Sequence, residues 1–450
     1  MSQKTTYDCL IMGAAGRDFH NFQAFFRNRP EFRVRAFTAA QIPFIETRSF
    51  PRSLAGPLYN QDIPILPESE LPQLIRTWQI DFVFLAYSDL SHEEVMHKAS
   101  LVEANGASFV LLGPRHTQLT THKPVIAVTA VRTGAGKSPL SQFLAAELKK
   151  HGIRVGVLRH PMPYGNLEQQ AVERFATFDD LERLQCTLEE REEYEPYLEA
   201  GHVVFAGVDY AAIVSLAEKE SDLLIWDGGN NDFSFLKPTV QLCVVDALRP
   251  GHETTYHPGE INLRTADIVI INKVRHADAT RVAAMKEQIA TLRPEATVIC
   301  SDLEIVVDDP EKIRDRSVLV VEDGPTLTHG GMSHGAGMLA ARQYQAREVC
   351  DPRPGAVGTI AEAYRQFPHL QDVLPALGYS EGQRQELATT ITASDAETII
   401  DASPCGIDRL LKLTRPVARV RYRFVQLDGS PLLDCILAKL HEVTRSKLIH

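Results

Sequence analysis

Val131-Arg-Thr-Gly-Ala-Gly-Lys-Ser138 is the stretch that decides the fold. It ends a β-branched run, Val125–Val131, that reads as a strand. It opens a pattern, Pro139–His151, that reads as a helix closed by Gly152. Strand, glycine loop and helix in that order are the context in which this pattern has chemical meaning. Gly134 and Gly136 let the backbone turn so that successive amide N–H groups face one concavity. Those donors and the helix N-terminus suit a nucleotide's phosphates. Arg132, Thr133 and Ala135 complete the loop, Lys137 is placed for the β- and γ-phosphates, and the Ser138 hydroxyl for Mg2+. The pattern departs from GxxxxGK[ST] at its first position, where Val131 stands in place of glycine.

Two strand ends extend the site. Leu223–Asp227 (LLIWD) is an apolar run ending in a carboxylate, as needed to hold a metal shell beside the loop, and Gly228-Gly229-Asn230-Asn231-Asp232 follows it. Open α/β sheets bind ligands at such strand ends. Asp267–Lys273 (DIVIINK) ends in Asn272 and Lys273, the first two residues of a guanine-reading NKxD motif. Its fourth position is Arg275 rather than aspartate, so ATP is expected over GTP.

The same alternation runs through most of the chain. Tyr7–Met12, Phe32–Thr38, Asp81–Ala86 and Phe109–Leu112 read as strands, with helices around Phe19–Arg27 and over Ser91–Asn105. Pro43–Pro72, rich in proline, reads as an irregular excursion. Val155–Leu158, Gln241–Asp246, Ala296–Cys300 and Ser317–Glu322 are further short apolar runs, as in strands buried on both faces. The acidic Leu188–Glu199 reads as a solvated helix. After Pro354 the pattern turns helical (Val357–Phe367, Leu370–Leu377, Glu381–Ile391), then gives strands at Thr398–Ala402 and Val417–Val425 and a helix at Leu432–Thr444. The fold class is therefore α/β. A Rossmann-like parallel-sheet domain (1–120) precedes a P-loop nucleotide-binding domain (121–350), and a helical and strand extension (351–450) follows.

Composition narrows the classes. Among 450 residues, 58 acids against 47 bases give a formal charge of −11, which argues against a nucleic-acid-binding body. No apolar run reaches the ~20 residues of a membrane span, and MSQKTTYDCLIMG lacks a signal peptide's layout. The seven cysteines are scattered without a CxxC pair, so a reducing cytoplasm is expected.

Other polar segments are candidates for an anionic substrate. Arg159-His-Pro-Met-Pro-Tyr-Gly-Asn166 offers Arg159 and His160 at a strand end. Glu322-Asp-Gly-Pro-Thr-Leu-Thr-His-Gly-Gly331, running on to Ser333-His334-Gly335-Ala336-Gly337, offers Thr326, Thr328, His329 and glycine amides to a phosphate. His329 and His334 lack a third metal ligand at suitable spacing. Glu193 and Glu195 are candidates for Mg2+ or general-base work, or simply a solvated helix face. Gly13-Ala-Ala-Gly16-Arg17-Asp18 is either a weak dinucleotide loop, with Arg17 for a carboxylate or phosphate, or a bare turn.

Together TAVRTGAGKS, RHPMPYGNL, EEREEYEPYLEAG, DGGNND, VEDGPTLTHGG with GAG, and PVARVRYRF resemble the cyclic 2,3-diphosphoglycerate synthetase family, whose bacterial members are often called predicted GTPases. The resemblance covers essentially the full chain. It implies ATP- and Mg2+-dependent phosphorylation of a small acid, closure of an intramolecular phosphoanhydride, and release of ADP and phosphate. It also implies a core like that of dethiobiotin synthetase and related dimeric ATPases, hence a homodimer. Carried onto this chain, Gly134, Gly136, Lys137 and Ser138 hold ATP and Mg2+, Asp227 and Glu195 complete the metal environment, and Arg159, His160, Thr328 and His329 meet the substrate. Asn166 stands where the family is expected to carry aspartate, so the substrate is expected to differ. The rivals are a regulatory or chaperone-type GTPase, an ATP-dependent carboxylate or amide ligase, and a binding module with a vestigial loop.

Overall fold

Val125–Ala130 is buried at every position, and the rest of the nucleotide-binding sheet is arranged around it. The structure is a computed structural model that describes residues 5–14, 16–40, 48–159, 165–229, 231–324, 327, 333–377, 381–403, 405–429 and 431–447. These form two compact units, one of Met1–Arg174, Val203–Asp302 and Gln426–His450, the other of Phe175–His202 and Leu303–Val425. The units group the chain differently from the three-way division expected from pattern: the N-terminal sheet and the phosphate loop share one unit.

Within the first unit, Val203–Ala206, Val155–Arg159, Leu223–Asp227, Val125–Ala130, Val240–Asp246, Ile268–Asn272 and the start of Thr297–Val307 lie side by side, all parallel. The chain leaves Val125–Ala130 for Val155–Arg159 on one side and later passes to Val240–Asp246 on the other. The switch point therefore falls at the carboxyl end of Val125–Ala130, where an open α/β sheet forms its crevice. The glycine loop starts there.

The N-terminal sheet of the same unit has the order Ser49–Phe50, Ile63–Pro67, Phe32–Ala39, Tyr7–Met12, Phe82–Leu85, Ser108–Leu111, parallel except for Ser49–Phe50. Phe19, Phe22, Phe26, Phe37 and Phe50 fill one of its faces. The stretch expected to be irregular thus supplies two strands and, at Leu71–Trp78, a helix whose Leu71, Leu74 and Ile75 are buried. Two of its prolines sit where they cost no ladder bond, at a strand end (Pro67) and in the first helical turn (Pro72), while Pro64 lies within the strand Ile63–Pro67, opposite Ser49. His92–Ala104 is helical as expected, started by a capping box between Ser91 and Glu94. The aromatic segment is helical too, Arg17–Asn21 in α and Phe22–Phe26 in π geometry.

In the second unit Val417–Gln426, Thr398–Ala402 and Ser317–Asp323 pair in parallel, and Glu348–Val349 and Val373–Ala376 pair with Ser317–Asp323. Two expectations are corrected. Leu370–Leu377 is not helical: its apolar run is a buried strand, Val373–Ala376. The acidic helix Leu188–Glu199 exists but is not solvated, since Glu190, Arg191, Tyr194, Glu195 and Tyr197 are buried. Its carboxylates have arginine partners: Glu195 meets Arg191 and Arg409, and Glu199 meets Arg409, Arg419 and Arg421.

Candidate active site

The phosphate loop owes its shape to side chains that hold its carbonyls from outside. Arg249 donates to the Thr133 carbonyl at 2.8 Å, Lys273 to that of Gly134 at 2.7 Å, and Asn272 to that of Ala135 at 2.8 Å. A carbonyl turned outward turns the next residue's N–H the other way, because the two lie on opposite sides of a trans peptide. Gly134 (φ 78°) and Gly136 (φ 109°) adopt left-handed backbone that other residues enter only with strain. Gly136 caps the helix Lys137–Lys150, whose first-turn amides have no intrahelical acceptor. Asn272 also accepts from Ser301 at 3.0 Å, and Lys273 pairs with Asp246 at 2.8 Å. The two residues expected to bind nucleotide thus act on the loop itself.

Val131 fits where glycine was expected. Its side chain packs with Cys243, Val245, Leu263 and Ile271, and its backbone is not left-handed. The close approach is made from the other side: a Cβ on Gly259 would lie 2.1 Å from the Val131 carbonyl oxygen.

Lys137 is half-buried, and desolvation pushes its ammonium below the usual lysine range against the opposing pull of Asp227. It donates to Asn231 Oδ1 at 3.4 Å. Asp227 stands beside Val128 in register on the neighbouring strand and forms a buried ion pair with Arg159, which lies directly opposite it on the strand beyond. Arg159 is therefore committed to Asp227, and its carbonyl accepts from Tyr210 at 2.7 Å. The Ser138 hydroxyl and Asp227 carboxylate are hard oxygen donors, so the residue types suit a magnesium–nucleotide complex. Among the described residues, no group of three or more His, Cys, Asp or Glu is gathered to hold a metal.

Several residues at the site carried no local signal in the sequence. Asp89 pairs with Arg132 at 2.8 Å and accepts from Asn231 at 2.9 Å. Arg132 also lies 3.7 Å from the centroid of the Tyr256 ring. Asn262 donates to the carbonyls of Ala130 and Asn231, both at 3.1 Å, and so ties the loop's strand to the 231–232 turn. Asp232 is buried and lies 3.9 Å from Arg17.

The other candidates divide. Glu195 belongs to the second unit, where it takes the Gly406 amide at 2.9 Å besides its arginines. Glu322 takes the amides of Gly335, Gly337 and Met338, so three donors of that glycine segment already have an anion. In the N-terminal turn Asp18 likewise takes the amides of Gly16 and Phe19, where a dinucleotide loop would need donors. Asn166 accepts from the amides of Glu168 and Gln169, a local turn cap. His160, Thr328 and His329 lie outside the described residues, as does Thr326. No helix among the described residues is long and apolar enough to cross a membrane.

No family model matches the chain. Among solved structures, it resembles LpxK from Aquifex aeolicus, an "apo" form in complex with ATP, at 13% identity over 72% of this chain and 90% of that one, with a TM-score of 0.42. It also resembles cobyrinic acid a,c-diamide synthase from Mycobacterium smegmatis with bound ADP and magnesium, at 16% identity over 54% and 92% of the two chains, with a TM-score of 0.19. At such scores the likeness has no bearing on chemistry. Among curated proteins, arginine synthetase ArcE of Thermococcus kodakarensis is 53% identical over 437 residues, which cover 97% of each chain. An identity of that size over nearly the whole length of both chains means that this chain belongs to the family of the Thermococcus kodakarensis arginine synthetase.

Proposed function

We propose that the chain is an ATP- and Mg2+-dependent synthetase that phosphorylates an oxygen of a small acid-bearing substrate and replaces it with a nitrogen nucleophile, releasing ADP and phosphate. The observation that carries this reading is Lys137, half-buried at the head of its helix, behind a loop whose carbonyls are held outward and beside the strand that ends in Asp227. Phosphoryl transfer needs positioning and neutralised charge more than covalent help from the protein. Lys137 supplies one fixed positive charge, Asn231 orients it, and the loop amides hold the phosphate oxygens. Ser138 and Asp227 would hold a magnesium ion, which would supply further positive charge against the phosphates.

The name of the relative supports a product class. Arginine differs from the ureido amino acid citrulline by nitrogen in place of oxygen. Phosphorylation of the ureido oxygen makes it a leaving group; ammonia attacks the carbon, the C–O bond breaks, and phosphate departs with the oxygen. A second reading, ring closure of 2,3-diphosphoglycerate, is supported by the motif resemblance. It shares a phosphoryl-transfer first step and differs in its nucleophile, a phosphate of the same molecule. With Arg275 in the guanine-reading position, ATP is the nucleotide in both. A homodimer belongs to this reading as well.

ADP release is the test. Release that needs both citrulline and ammonium, with arginine found by mass, supports the arginine reaction. Release with 2,3-diphosphoglycerate alone, giving a product one water lighter, supports ring closure. Phosphate release with GTP and no organic acceptor overturns both.

A further inference from the structure

Arg17 is 3% exposed, yet its Nε and Nη1 have no hydrogen-bond partner among the described residues. Its guanidinium lies over the Phe233 ring at 3.9 Å, and the nearest carboxylate oxygen, on Asp232, is also 3.9 Å away, an ion-pair distance too long for a hydrogen bond. A guanidinium out of water with its donors unmade is costly, and an anion hydrogen-bonded to it offsets that cost. His257 Nε2 is another buried polar atom without a hydrogen-bond partner among the described residues, and the charges of Arg17 and Asp232 both act on its imidazole.

The position links this cluster to the phosphate site. Asn231 and Asp232 are consecutive, and both carbonyls accept from Asn262. Asn231 faces Lys137, whereas Asp232 faces Arg17. One turn thus carries, on adjacent residues, the partner of the phosphate lysine and the partner of a buried arginine. A molecule anchored at Arg17 is held near the loop that binds the phosphates. The pairing of charges specifies what it is: a cation with unmade donors beside a buried carboxylate matches the carboxylate and ammonium that an α-amino acid carries on one carbon. A polyphosphate would meet Asp232 as a like charge.

We propose that Arg17 and Asp232 form the head-group site for an α-amino acid substrate, Arg17 taking its carboxylate and Asp232 its ammonium. This rests on the synthetase reading above and deepens it. It assigns a role to the helix Arg17–Asn21 that follows the first strand of the N-terminal sheet.

Calorimetric binding tests the site without turnover. L-arginine and its decarboxylated analogue agmatine are titrated into the wild-type chain and into Arg17→Gln and Arg17→Lys. The wild type should prefer L-arginine by about 100-fold, the size of a charge-assisted contact in a buried site. Arg17→Gln should reduce the preference to a few-fold, and Arg17→Lys should retain part of it. Equal affinity of the wild type for the two ligands overturns the proposal without need of any variant, as does an Arg17→Gln chain that melts like wild type and keeps the full preference. ADP release with citrulline and ammonium is measured in parallel. Discrimination at Arg17 without turnover would leave the head-group site standing and remove the synthetase reading; turnover without discrimination would do the reverse.

Discussion

Asp89 Oδ1 lies 2.8 Å from Arg132 Nε, so a loop of the N-terminal sheet grips the phosphate loop directly. The same carboxylate accepts from Asn231, which accepts from Lys137. Asp89 itself is in left-handed backbone at φ 63°, a conformation that needs support from such contacts. Asp89→Ala frees Asn231 and Arg132 but also removes a negative charge near the phosphates. The two effects act on different constants. Steady-state kinetics should show kcat down about tenfold through lost positioning, with KM for ATP unchanged or lower. A rise in KM at constant kcat would mean that Asp89 merely shapes the nucleotide pocket.

On the proposed reading, Lys137→Ala removes the ammonium that neutralises the transferring phosphoryl group, and turnover should fall by at least about a thousandfold. The fold should not suffer, because burial already disfavours the charged amine and its removal relieves that penalty. Thermal unfolding at or above the wild-type midpoint, together with lost ATP binding in calorimetry, is the expected pair of results. Retained turnover would exclude the loop as the reaction site.

The parts of the site that the sequence made legible are those written within one strand–loop–helix unit: the strand before Val131, the glycines and Lys137, and a strand ending in Asp227. Periodicity and turn chemistry are local, so they can be read locally. The grip of Asp89 on Asn231 spans 142 positions and has no local mark. The acidic helix reads as solvated from its sequence for the same reason. Glu199 looks solvated until arginines 210 and 220 residues away arrive beside it. Asn272 and Lys273 were legible as site residues but not in their part, since nothing in the sequence says that their donors close on the carbonyls of Ala135 and Gly134.

Arg159 and Asp227 form a buried ion pair on facing strand ends. Arg159→Met leaves a buried carboxylate without its nearest cation, and Asp227→Leu does the converse; each should lower stability by about 3–5 kcal/mol. The double variant should recover a good part of that loss, because two apolar groups replace two charges. A denaturant double-mutant cycle measures the coupling. Strictly additive losses would mean that the pair is incidental. On the proposed reading, turnover should be lost in every variant lacking Asp227.

His257 gives the fold a dependence on pH. Burial, helped by Arg17 and His92, pushes its imidazole from the ordinary 6.5 down to about 3. Between those values the unfolded chain binds a proton that the folded chain refuses. The stability that His257 contributes is therefore complete above 6.5 and is lost as the pH falls toward 3. Melting temperatures across that window should decline in the wild type and decline less steeply in His257→Phe. Parallel slopes would place the acid sensitivity elsewhere.

Val131 and Gly259 share one constraint. A Cβ on Gly259 would meet the Val131 carbonyl oxygen at 2.1 Å and its carbonyl carbon at 2.8 Å, and backbone atoms cannot swing aside as a flexible side chain would. Gly259→Ala must displace the start of the phosphate loop, so KM for ATP should rise and the melting temperature should fall together. Val131→Gly restores the usual first glycine of the motif but empties a site packed against Cys243, Val245 and Ile271. It should cost roughly 2–4 kcal/mol through the lost side chain and the freer unfolded chain, with no gain in turnover. If Val131→Gly instead raised kcat at unchanged stability, the valine would be a brake on the loop rather than the wedge that seats it.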